Sequence, residues 1–270
     1  LSRKLVPTAT TYVTYPKRNS QARLRLFCFP YAGANSFIFR PWLHSLPADV
    51  ELGAIELPGH GTRIAEPLFT RMTKLVEAIA SSLLPHLDKP FAFFGHSMGA
   101  WVSFEVARWL QAHHVYPVHL FVSGARAPQL PSLRSPLHQL PEAEFVAALR
   151  RLQGTPEAVL DHTELMELML PILRADFAVL ETYTYSPQTL LPCPITAFGG
   201  LQDVDVSPEM LHAWQTQTNA SFSHRMLPGN HFFIHSDQPL LLQLLTQELT
   251  QIVSHLPEYA PLKSPQDLGS

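Results

Sequence analysis

The sequence predicts an α/β domain: an open, doubly wound, mostly parallel sheet with helices on both faces and a helical insertion over one end. Two observations predict it. Short, wholly apolar runs of strand length alternate with segments of helical periodicity along most of the chain, and parallel strands need crossover helices that then bury both sheet faces. Of the 270 residues, 46% are hydrophobic and only 15% charged, which supplies a large core and excludes a disordered or fibrous chain.

Residues 1–22 are polar and unpatterned, and the first strand is expected over Arg23–Phe29, stopped by Pro30, which cannot donate to a ladder. After Asn35-Ser36, the apolar residues Phe37, Phe39, Trp42 and Leu46 suggest a short helix in which Pro41 is tolerable only in the first turn. Val50–Leu57 reads as a second strand, ended by Pro58-Gly59. From Thr70, the positions Met72, Leu75, Val76, Ile79, Ala80, Leu83 and Leu84 follow one helical face. Phe91–Phe94 is a buried strand, followed by a sharp turn and a helix from Met98 to about Ala112; Val118–Val122, Pro194–Phe198 and Phe222–Leu227 supply further strands.

Between Ser123 and Pro194 the chain is far longer than one crossover requires, so residues 125–190 or thereabouts form an insertion. Glu142–Leu152 and Thr163–Tyr183 within it look helical. The second carries an apolar stripe of Leu165, Met166, Met169, Ile172, Leu173, Phe177 and Leu180, and Pro171 should kink or split it. Residues 1–257 are expected to form one domain, with a loose tail over 258–270. The chain starts at Leu1 instead of Met, so it was trimmed, processed or cut from something longer.

The net charge of −3, with no basic run, argues against nucleic acid as a partner. No apolar run reaches the ~18 residues of a membrane span, and no signal-peptide pattern opens the chain. Cys28 and Cys193 are too few for a disulfide framework. A cytoplasmic protein that binds no membrane is expected, and a monomer.

Chemistry is carried by Phe94-Gly-His-Ser-Met-Gly99, a Gly-x-Ser-x-Gly run between strand and helix. In that context the serine sits on a strained turn above the carboxyl end of the sheet, and flanking side chains would clash with the neighbouring strand and helix. Ser97 is thus the expected nucleophile, with the Met98 N–H at the helix start aimed at an oxyanion. A serine hydroxyl needs a histidine base and a carboxylate to orient it, in the chain order Ser, acid, His. His231, in the loop after the last strand, is the expected base among 14 histidines. Asp203, after the preceding strand, is preferred as the acid over Asp205, which could instead be a solvated loop residue or a helix cap. The second oxyanion donor should come from Phe29-Pro-Tyr-Ala-Gly-Ala34, with the Ala32 N–H the best candidate and Tyr31 the next.

Other conspicuous residues have plainer readings. His60 and Arg63 could touch substrate, but fit better as a hydrogen-bonded turn. His96 is read as structural in the elbow. His113-His114 has no neighbouring ligand at metal spacing, so no metal site is expected. The Leu165–Tyr183 stripe is core that could also line an acyl channel.

The sequence resembles the type II thioesterases of the α/β-hydrolase superfamily, discrete editing enzymes of non-ribosomal peptide and polyketide synthases. The resemblance rests on Phe29-Pro-Tyr-Ala-Gly33, Glu56-Leu-Pro-Gly-His-Gly-Thr-Arg63, Gly95-His-Ser-Met-Gly-Ala100, Asp176–Tyr183, Gly199-Gly-Leu-Gln-Asp203 and Pro228-Gly-Asn-His-Phe232, in family order over nearly the whole chain. It departs at Leu201-Gln202 and at Val204, where the family often has proline. It implies a triad of Ser97, Asp203 and His231, oxyanion donors Met98 and Ala32, a helical lid, and no cofactor. The implied substrate is an acyl thioester on the phosphopantetheine arm of an acyl or peptidyl carrier protein. A chain-terminating thioesterase domain excised from a synthase, a general small-ester hydrolase, and a non-catalytic binding module of the same fold remain as alternatives.

Overall fold

The computed structural model describes residues 11–132, 135–155 and 157–257; the tail expected to be loose lies outside them, apart from its attachment at Pro257. Seven strands form one sheet: β1 (Val13–Thr14), β2 (Leu24–Phe29), β3 (Val50–Ile55), β4 (Phe91–His96), β5 (His119–Ser123), β6 (Ile195–Gly200) and β7 (Phe222–Leu227). Their spatial order is β1-β3-β2-β4-β5-β6-β7, with β1 antiparallel to β3 and every other neighbouring pair parallel. The carboxyl ends of β4, β6 and β7 therefore open on one edge, where α/β sheets bind ligands.

Helices α1 (Met72–Leu83) and α2 (Met98–Ala112) cover one face, and a 3-10 helix (Ser36–His44) with α8 (Gln238–His255) covers the other. The insertion carries α3 (Glu142–Leu152), α4 (Glu157–Leu160) and α5 (Thr163–Glu181); α6 (Pro208–His212) and α7 (Phe233–Ser236) follow β6 and β7. Alternation along β2 divides the core: Phe27 and Phe29 pack against α1 and α2, whereas Leu24, Leu26 and Cys28 meet Trp42, Leu245 and Leu249. The insertion has a small core of its own, in which Phe145 and Leu149 meet Leu160, Met166, Leu170 and Leu173.

The structure corrects several expectations. The polar N-terminal stretch contains β1, held on the sheet edge by Val13 opposite Ile55 and by Tyr12 N–H donating to Ser82 Oγ at 2.7 Å. Pro41 lies beyond the first turn of its helix, which is a 3-10 helix; that geometry avoids the α-helical clash of a proline ring with the carbonyl four residues back. Pro171 does not split α5, which runs on through it; both it and Glu167, whose carbonyl loses its donor, lie on the exposed side, where the lost bond costs least. Leu165, placed in the buried stripe by its spacing, is 41% exposed on the outer turn of α5.

His119 yields a pH prediction. It is buried at the start of β5, facing Thr196 Oγ1 at 2.9 Å and stacked on Phe121, and burial pushes its pKa down from 6.5 to about 4. Between those values the unfolded chain takes up a proton that the folded chain refuses, so stability falls as pH falls. The loss is about 2–3 kcal/mol from pH 7 to pH 4.5. Urea titrations at the two pH values should show His119→Gln sparing that share of the acid loss.

Candidate active site

Ser97 occupies the turn between β4 and α2 with φ +53° and ψ −114°, a conformation that costs about 1–3 kcal/mol for a non-glycine residue. Its N–H donates to the Ser123 carbonyl at 2.7 Å, which ties the turn to β5. The flanking glycines are sterically required. A Cβ on Gly95 would stand 2.1 Å from the Gly99 carbonyl oxygen, and one on Gly99 would stand 2.1 Å from the Phe29 carbonyl oxygen. The elbow thus packs helix against strand at backbone distance, which keeps Ser97 Oγ from capping α2 and leaves it facing His231.

His231 Nε2 lies 2.9 Å from Ser97 Oγ, and His231 Nδ1 lies 2.8 Å from Asp203 Oδ2. The Asp203 side chain is fully buried, and its Oδ1 accepts the backbone N–H groups of Asp205 and Val206 at 2.8 and 3.2 Å. With Asp203 Oδ2 as the acceptor facing it, Nδ1 of His231 carries the ring proton and Nε2 presents a lone pair to Ser97. Asp205 contributes its backbone amide to this arrangement. Val204, at the position where the sequence departs from the family pattern, is 94% exposed beside the cleft.

The loops that bring Asp203 and His231 together are stitched by backbone. Leu201 N–H donates to the Leu227 carbonyl and Gln202 N–H to the Gly229 carbonyl, while Gly229 N–H donates to Gln202 Oε1. Gln202 therefore has a structural task. His96 braces His231 from below: its Nε2–H donates to the His231 carbonyl at 3.0 Å, and its Nδ1 accepts the Ser123 hydroxyl at 2.9 Å. Burial, and then the nearby His231, hold the His96 pKa well below its ordinary value, so the ring is neutral and fits that tautomer. The structural reading of His96 is met.

Met98 and Ala32 line the same cleft as Ser97, and neither amide is donated to an acceptor among the described residues. The cleft has a volume of about 680 Å³ and runs from Ser97 under the insertion, past Trp101, Leu173, Phe177 and Tyr183. That lining agrees with an acyl channel bordered by the α5 stripe. At the outer rim Gln153 and Gly154 rest on the loop that carries His231: Gly154 leaves no room for a Cβ beneath Phe232, and Asn230 Nδ2 donates to Gln153 Oε1.

The remaining candidates fall outside the cleft. Arg63 donates to the Thr11 carbonyl and to Glu66, consistent with a turn. His113 stacks on Trp109 and bonds its carbonyl. His60 does bond within its turn, to the Pro58 carbonyl, but it also reaches Asp176 of α5 at 2.9 Å, a contact the local sequence does not announce. The available signal was a lone carboxylate inside the apolar run of α5. Among the described residues no helix is long and apolar enough to cross a membrane.

A family model for the thioesterase domain matches residues 24–252. The chain belongs to the thioesterase domain family. This thioesterase is 45% identical over 237 residues to the gramicidin S biosynthesis protein GrsT of Aneurinibacillus migulanus, covering 87% of this chain and 93% of the relative. It is 44% identical over 238 residues to a Brevibacillus parabrevis protein named linear gramicidin dehydrogenase LgrE, covering 87% and 90% of the two chains. Among solved structures, the type II thioesterase BorB from the borrelidin biosynthetic cluster superposes with a TM-score of 0.82 at 31% identity, over 89% of this chain and 98% of that one. The expected α/β-hydrolase fold is thereby met.

Proposed function

We propose that this thioesterase hydrolyses acyl groups carried on the phosphopantetheine arm of acyl or peptidyl carrier proteins, clearing aberrant or stalled carriers of a non-ribosomal peptide or polyketide synthase. The observation that carries the reading is the Ser97–His231–Asp203 chain of hydrogen bonds at the mouth of a deep cleft. Ser97 Oγ attacks the thioester carbon as its proton passes to His231 Nε2. The resulting oxyanion is held by the Met98 and Ala32 amides, with the α2 N-terminus behind the first. The C–S bond then breaks, the departing sulfur takes the proton from His231, and water, activated by the same nitrogen, releases the acid and restores Ser97.

Asp203 fixes the His231 tautomer and stabilises the imidazolium. The reaction needs no metal or diffusible cofactor, because nucleophile, base and oxyanion donors all belong to the chain. Residues 1–257 act as one domain, monomeric and cytoplasmic, with 125–190 as a lid that admits the arm. Neither nucleic acid nor membrane takes part. The dehydrogenase name of one relative suggests a second reading, but the loop after β2 is Pro30-Tyr-Ala-Gly33, and the chain has no Gly-x-Gly-x-x-Gly run to cradle a dinucleotide pyrophosphate.

The test compares one short acyl group on a phosphopantetheinylated carrier protein and on a small thiol. A kcat/KM at least about tenfold higher on the carrier, roughly 1.4 kcal/mol of added binding, is expected for an enzyme that docks a protein partner. Equal rates would assign a generic thioester hydrolase.

A further inference from the structure

The loop that carries Ala32 is held from behind by two buried carboxylates that do not touch the cleft serine. Asp176, on α5 and 3% exposed, accepts the Gly33 N–H at 2.7 Å and faces His60 Nε2 at 2.9 Å through the same oxygen. His60 is equally buried, and its Nδ1 meets the Pro58 carbonyl at 3.0 Å. Both ring nitrogens thus face acceptors, which only the doubly protonated imidazolium satisfies. Further along, Glu56 accepts both the N–H and the hydroxyl of Ser36. Residues 33–36 consequently hang on one carboxylate from the insertion and one from the end of β3.

Gly33 is a second point of contact with α5. A Cβ there would stand 2.5 Å from Leu173 Cδ2, one helical turn before Asp176. Ala34 N–H donates to the Tyr31 carbonyl and Gly33 has φ +78°, so residues 31–34 form a turn of the type II kind, with glycine at the position that requires positive φ. Its central peptide is the one whose N–H Asp176 accepts. Without that acceptor the peptide is free to turn over, and the Ala32 amide one residue upstream loses its fixed direction. A buried ion pair is no better for stability than a well-packed apolar side chain. What the pair supplies here is geometry.

We propose that Asp176, clamped by His60, is a positioning residue for the oxyanion loop, so that the oxyanion site is complete only while α5 of the insertion is seated on Gly33. This rests on the reading of Ala32 as an oxyanion donor. The insertion then governs the reaction rate as well as access: a displaced α5 would leave Ser97 and His231 in place but the donor site for the oxyanion incomplete.

The experiment measures kcat and KM of Asp176→Ala and Asp176→Asn on an acyl-pantetheine thioester, per Ser97 titrated to completion with a fluorophosphonate. The companion readout is affinity for a trifluoromethyl ketone analogue, whose tetrahedral adduct on Ser97 needs the oxyanion site. Asp176→Ala should lower kcat about 100-fold, with KM within about threefold, and weaken the ketone by a similar factor. Asp176→Asn, whose amide oxygen can still accept from Gly33, should recover kcat to within about tenfold of the parent. A merely structural role would lower the titratable fraction and leave kcat per titrated site unchanged. That result, kcat within about threefold for the folded Asp176→Ala enzyme, overturns the proposal. Should Asp176→Ala not fold, His60→Gln decides: about a tenfold loss in kcat at constant KM supports it, and an unchanged kcat overturns it. A parent enzyme that neither turns over the thioester nor takes up fluorophosphonate at Ser97 would overturn the hydrolase reading itself, an outcome distinct from silent Asp176 and His60 variants.

Discussion

Ser97→Ala is expected to lower kcat on an acyl thioester by about 10⁶-fold, since nucleophile and base act as one unit and loss of either removes the covalent route. KM should change little, because the cleft past Trp101, Leu173 and Phe177 does not depend on Oγ. Stability should hold or rise slightly: the positive φ persists in the alanine variant, and the hydroxyl has no partner besides His231 among the described residues. Stopped assays at high enzyme concentration, with thermal melts of the same samples, check both halves. A variant that is folded and retains more than about a thousandth of parent kcat would move the nucleophile elsewhere.

Asp203→Asn carries the next largest effect, about 10⁴-fold in kcat. The reason lies in the proton inventory. An amide nitrogen facing Nδ1 would oblige that atom to accept, move the ring proton to Nε2, and leave Ser97 Oγ opposite a donor. Asp205→Asn should stay within about threefold, because it keeps the backbone N–H that Asp203 Oδ1 accepts. Steady-state kinetics of the two variants side by side would separate the carboxylates cleanly, and reversal of the two effects would reassign the acid.

Much of this site was legible because its parts lie next to strand ends. Phe91–Phe94 and the glycines of Gly95-His-Ser-Met-Gly99 announce an elbow, and in the observed turn a Cβ at either glycine would run into backbone. The acid loop and His231 could be read from position alone, as the loops after β6 and β7 open beside the elbow. The distinction between Asp203 and Asp205 could not be settled by spacing; it is made by the tight turn that aims the amides of residues 205 and 206 at Asp203.

What escaped the sequence is non-local or depends on solvent. β1 spans two residues, and its pairing partner lies some forty positions away, so no periodicity marks it. Pro171 looked like a helix breaker, yet it and Glu167, whose carbonyl it orphans, lie on the exposed side of α5. His60 and Asp176 are 116 positions apart and each has a plausible local reading, a turn for one and a helix for the other. Only the seating of α5 on the Gly33 turn reveals that they share a task.

The central claim, that turnover passes through an acyl group on Ser97, is tested most directly by quenching a reaction in its first turnovers and weighing the peptide that contains Gly95–Gly99. The account predicts a transient mass gain equal to the substrate's acyl group, located on Ser97 and absent from Ser97→Ala. Thioester hydrolysis at the parent rate with no acyl adduct on Ser97 at any time, together with undiminished turnover by Ser97→Ala, would contradict it.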